Sequence, residues 1–132
     1  MTHWDEARRL LRKADQDRTI FHVIKNHPNI ESEAVCFHAQ QAVEKSLKAV
    51  LMAKGAVFRR THDLDELVDR IIDNGITLPF SSEYLSLLTP FAAQLRYEDL
   101  DVEELTLFEV ERIMEEVYRW ATDAIQVEGN VP

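Results

Sequence analysis

The residues of this chain best suited to chemistry lie in three short blocks. In FHAQQAVEKSLKAVL, residues 37–51, His38, Gln41, Lys45 and Lys48 follow one another at steps of three, four and three. On a helix that spacing sets them along one face. The result is a polar, partly basic stripe that could wall an anion-holding cleft or simply face solvent. In QLRYEDL, residues 94–100, Arg96 and Tyr97 stand between an apolar stretch and a run of acids. A guanidinium there can grip a phosphate, pair with a carboxylate or sit at a helix end. In RTHDLDEL, residues 60–67, His62 and Asp63 are adjacent.

Several chemistries can be weighed against these blocks. All-α metal phosphohydrolases of the HD superfamily use a histidine, a later His-Asp pair and a distant aspartate. His38, His62, Asp63 and Asp99 or Asp101 can be set in that order. Such a site needs imidazole and carboxylate groups converging on a divalent ion. Asp63, three residues before Glu66, already has a sufficient task as a helix N-cap, which leaves His62 just outside the helix. Zinc is no better served. His22 and His27 do not share a helical face, and Cys36 with His38 supplies at most two ligands where a structural site takes four. Cys36 lies near a helix start, where a thiolate can be stabilised, but it belongs to a stripe of small residues suited to close packing. No glycine-rich phosphate loop or nucleophile elbow occurs. No metal and no cofactor are expected.

Composition sets the frame. The 132 residues suit one domain, expected over 1–126 with a flexible tail at 127–132. With 45% apolar and 30% charged residues the chain can bury a core. No apolar run approaches the length needed to span a bilayer, so no membrane role is expected. The N-terminus shows no secretory signal core. The single cysteine fits a reducing cytoplasm. A net charge of −9 speaks against broad binding to duplex nucleic acid. It leaves room for a small basic cleft or a basic protein partner.

These residues must be positioned by helices. The first is expected from about Trp4 to Val23, with Thr2 and Asp5 as a capping box. Its apolar stripe of Trp4, Ala7, Leu11, Ala14 and Phe21 is interrupted by Arg18. The second is expected from about Ser32 to Lys54, ended by Gly55. On it Cys36, Ala39, Val43, Ser46 and Val50 make the small-residue stripe. The third covers about Leu64 to Asn74, capped by Asp63 and stopped at Asn74-Gly75. A fourth begins near Ser81 or Ser82 and ends near Arg96. Pro90 either kinks it or, with Thr89, starts a new helix. The last starts at the cap formed by Asp101 and Glu104 and carries Leu107, Val110, Met114, Val117, Ala121 and Ala124 on one face. No strand is expected. The fold class is all-α, an up-down bundle of four to five helices.

Three blocks together carry a resemblance: CFHAQQAVEKSLKAVLMAKG at 36–55, RTHDLDELVD at 60–69 and LLTPFAAQLRYEDL at 87–100. With this spacing the chain resembles the HEPN family of small helical domains over about residues 4–125. The resemblance implies a bundle of about five helices and a homodimer. It also implies a frequent partner, a minimal nucleotidyltransferase, in toxin–antitoxin-like pairs. Nucleotide or RNA would be possible ligands. Many members are metal-independent ribonucleases whose motif is an arginine, four to six residues, then a histidine. Arginine grips the scissile phosphate and histidine moves a proton. Arg96 falls where the family's arginine falls, but the positions due a histidine hold Asp101, Val102 and Glu103. No other arginine of the chain has a histidine at that spacing; Arg18 to His22 is one position too short.

The reading that follows is a binding or partner module without an intact ribonuclease motif. Its expected binding residues are His38, Gln41, Lys45, Lys48, Arg96 and Tyr97. Tyr97 is a candidate acceptor for nucleotidylation by the partner. The alternatives are a divergent ribonuclease toxin, with Arg96 and His38 or a nearby acid as catalytic candidates, and a helical adaptor whose polar stripe faces solvent.

Overall fold

A computed structural model of the chain describes residues 2–92 and 107–129. Five α-helices and a short 3-10 turn make up the described fold, with no strand among the described residues. They are α1 (His3–Ile24), α2 (Ser32–Ala53), α3 (Leu64–Asp73), α4 (Ser82–Ser86), the 3-10 turn Thr89–Phe91, and α5 (Leu107–Gly129). The all-α bundle expected from the sequence is the fold observed. Arg96, Tyr97, Asp99 and the Asp101/Glu104 cap lie outside the described residues.

The helix ends follow from local chemistry. Thr2 Oγ1 accepts the Asp5 amide at 3.2 Å, and Asp5 accepts the Thr2 amide at 3.1 Å, so two orphan donors are satisfied reciprocally. At the end of α2 the amides of Gly55 and Ala56 donate to the carbonyls of Met52 and Leu51, each at 3.0 Å. At the end of α3 Gly75 and Ile76 repeat the pattern onto Ile72 and Ile71. This double closure needs a left-handed residue, and Gly55 and Gly75 supply it at φ of 68° and 73°. Asp63 caps α3 by accepting the Asp65 amide at 3.0 Å. Glu66 does not complete a box there; it pairs with Arg59 instead. Pro90 sits inside the 3-10 turn, where its missing N–H costs little.

Helix α2 is the hub. It packs against α1, α3, α5 and the 3-10 turn, and most of its residues are buried. The small-residue stripe Cys36, Ala39, Val43, Ser46 and Val50 is fully buried, which lets neighbouring backbones come close. One core cluster joins Phe21, Leu47, Leu51, Leu67, Ile71, Leu85 and Met114; a smaller one joins Ala7, Ala49, Val50, Ala121 and Ile125 near the other end. Phe21 closes the core from α1 at 0% exposure; emptying such a site costs about 3–5 kcal/mol. Hydroxyls of Ser82 and Ser86 donate to Asp65 at 2.6 and 2.5 Å, tying α4 to α3 and holding that carboxyl below its ordinary range.

Several details differ from the expected elements; the fourth helix, expected to reach about Arg96, ends at Ser86. Arg18 was expected to interrupt the apolar stripe of α1, but the residue that does so is Asp17, buried three positions after Ala14. Arg18 points instead into the seam with α5, where Glu115 holds it. Helix α5 runs to Gly129, three residues into the stretch expected as a tail. Among the described residues no helix is long and apolar enough to cross a membrane.

Candidate functional site

The polar stripe of α2 is built around two carboxylates from inside the bundle. Asp17 of α1 is 7% exposed. It accepts from Lys45 Nζ at 2.5 Å and lies 3.0 Å from His38 Nδ1. Glu44 of α2 is 3% exposed. It accepts from Lys48 Nζ at 3.0 Å and from Gln40 Nε2 at 3.1 Å, and lies 3.0 Å from His62 Nδ1. Gln41 adds its amide to the chain by donating to Gln40 Oε1 at 2.7 Å. Among the described residues every buried side-chain nitrogen or oxygen has a partner.

This arrangement decides what the stripe can offer. His38, Gln41, Lys45 and Lys48 do share one face, as their spacing implies. They are half-buried rather than solvated, and both ammonium groups already answer a buried carboxylate. Lysine is needed there because an unpaired carboxylate at this depth would be strongly penalised. A carboxylate can only accept, so Asp17 places the His38 proton on Nδ1. In a neutral ring so oriented, Nε2 is the nitrogen left to accept a proton. His62 is oriented by Glu44 in the same way.

His38, His62 and Asp63 of the metal reading are therefore each engaged elsewhere, the two histidines on different carboxylates. His38 belongs to Asp17, His62 belongs to Glu44, and Asp63 caps α3. Among the described residues no three His, Cys, Asp or Glu side chains form a group able to hold a metal ion. Cys36 is buried, and burial, helped by Glu33, pushes its thiol up to about 12. It remains a neutral packing group at physiological pH.

A second charged cluster runs along the seam of α1 and α5. Arg18 donates to Glu115 Oε2 at 2.6 Å and to Asp15 Oδ1 at 2.5 Å. Its guanidinium also lies 4.2 Å from the Tyr118 ring centroid. His22 lies 2.7 Å from Glu115 Oε1, and Lys25 donates to Glu111 at 2.7 Å. Burial alone would raise the Glu115 carboxyl, but hydrogen bonds from Arg18 and His22 outweigh it and hold the group below its ordinary value.

Asp17 and Glu44 are the site residues that motif reading passed over. A signal for Asp17 exists: it falls on the apolar stripe of α1, where an acid demands a basic partner from another helix. Glu44 gives less away, because its four-residue step to Lys48 also describes an ordinary surface pair.

A family model described as HEPN domain matches residues 7–125, nearly the whole chain. No curated protein and no solved structure matches it.

Proposed function

The chain belongs to the HEPN domain family, and from that premise we infer that it works as a dimeric partner module rather than as a nuclease. In this reading it pairs with a minimal nucleotidyltransferase in a cytoplasmic toxin–antitoxin-like unit. Arg96 serves phosphate or partner contact there. One observation carries the reading: Asp101, Val102 and Glu103 occupy the positions after Arg96 where a family ribonuclease needs histidine. A carboxylate beside a phosphate repels it, and an acid ionised throughout the neutral range does not replace a group that titrates there.

Tyr97 is the acceptor in this scheme. Its phenol oxygen attacks the α-phosphorus of ATP on the partner, pyrophosphate leaves, and the phenolic proton passes to solvent. Coexpression with the partner tests the reading. Copurification is expected, with two copies of this chain by native mass spectrometry and an added nucleotidyl group after incubation with ATP that Tyr97→Phe abolishes. A chain that stays monomeric at micromolar concentration and ignores the partner overturns the module. An unmodified intact mass overturns only the role of Tyr97.

One observation favours a second reading, the divergent ribonuclease. The Asp17 carboxylate lies 3.0 Å from His38 Nδ1, the arrangement that orients a histidine with Nε2 as general base. That reading demands RNA cleavage lost in both Arg96→Ala and His38→Ala.

A further inference from the structure

We propose that the groove between α1 and α5, at the N-terminal half of α1, is a binding site for a small phosphomonoester. The groove holds about 290 Å³, with walls that include Arg8, Leu11 and Arg12 from α1 and Tyr118, Ile125 and Gln126 from α5. Arg8 and Arg12 are one helical turn apart, so their side chains leave the same face with Cβ atoms about 6 Å from each other. Two guanidiniums at that spacing can share the oxygens of one phosphate dianion. Leu11 and Ile125 give the floor an apolar surface, and the Tyr118 ring provides an aromatic wall. The volume lies at the low end of ligand sites, which fits one ring or a short apolar body and little more.

Charge and place together mark the groove: Arg9, Lys13, Arg60 and Arg119 also show no carboxylate partner among the described residues, but Arg8 and Arg12 line one groove together. In a chain of net charge −9, carboxylates hold Arg18, Lys25, Lys45 and Lys48. Among the described residues Arg12 has no such partner, and Arg8 exerts only a through-space pull on Asp5. The acid that lines the groove, Asp15, is engaged by Arg18 at 2.5 Å, which offsets its repulsion of an anion. The groove is separate from Arg96 in sequence and does not depend on the partner-module reading.

The test uses the full chain at low ionic strength, with phenyl phosphate, AMP and inorganic phosphate titrated by NMR. Phenyl phosphate or AMP is expected to shift amides of α1 and α5 around the groove. The double variant Arg8→Gln/Arg12→Gln should weaken binding about tenfold or more. The double variant Arg9→Gln/Lys13→Gln removes the same charge from exposed positions outside the groove and should change binding by no more than about twofold. Arg96→Ala should leave it unchanged. Tighter binding of AMP assigns a nucleotide source and tighter binding of phenyl phosphate a non-nucleotide one; both orders support the site. Four results overturn it: no binding, equal loss in the two double variants, inorganic phosphate binding as tightly as phenyl phosphate, or displacement by a glutamate-rich peptide at lower concentration. All four substituted residues are exposed, and a circular dichroism melt confirms that each variant folds.

Discussion

Helix α1 carries a charged cluster on each of two sides, and the two differ in depth. Toward α2, Asp17 is 9% exposed in its side chain and is shared by His38 and Lys45. Toward α5, Glu115 is 26% exposed in its side chain and is shared by Arg18 and His22. The chemistry is nearly the same: one carboxylate, one permanent cation, one imidazole. What differs is how much water is left to answer a charge whose partner is removed. The inner cluster is therefore part of the architecture, and the outer one adjusts stability without deciding it.

The sharpest way to break this comparison is Asp17→Ala. It leaves Lys45 and the oriented His38 without their acceptor in the interior, and about 3 kcal/mol of stability should be lost. Thermal melting should show a fall of roughly 10 °C. The double variant Asp17→Leu/Lys45→Met should recover part of that loss, because removing both partners leaves no orphan charge. A loss from Asp17→Ala as small as that of a surface pair would show that the inner cluster is not special.

The seam should respond less. A double-mutant cycle of Arg18→Ala and Glu115→Ala should give a coupling of roughly 0.5–1 kcal/mol by urea unfolding. Added salt should shrink it, while the cost of Asp17→Ala should barely change. pH separates the seam further. The Glu115 carboxyl is lower in the folded chain than its ordinary value of 4.5. Its stabilising contribution is thus complete above that value and lost as pH falls through the lower folded one. Glu115→Gln should flatten the acid limb of a stability–pH curve and leave its alkaline limb alone. The smallest effect belongs to Arg70 and Asp73, an exposed three-residue pair at 2.7 Å. Arg70→Ala should change stability by no more than about 0.5 kcal/mol in the same urea assay, setting the floor of the scale.

The fold was legible where its causes are local. Thr2 with Asp5, Gly55 and Gly75 act on backbone groups within a turn or two, so short windows reveal them. The small-residue stripe of α2 also reads directly, since burial on one face imposes its own period. The inner cluster was harder because its partners are distant in sequence: Lys45 and Asp17 are 28 positions apart, and His62 and Glu44 are 18. Helical spacing places the stripe residues together but does not say what faces them. Reading Arg18 rather than Asp17 as the interruption was a one-position error. At that point a step of three and a step of four both continue the stripe, and only packing against α2 selects between them. Pro90 left two options open; α4 ends at Ser86 and Pro90 lies early in the separate 3-10 turn Thr89–Phe91, so it does not kink one continuous helix there.

The most direct test of the partner-module account is RNA incubated with the purified chain in EDTA, beside Arg96→Ala prepared in parallel. The account predicts no cleavage above the protein-free control by either protein. Cleavage by the unaltered chain that disappears in Arg96→Ala would contradict it, and would place Arg96 in a ribonuclease site that works without the family's histidine.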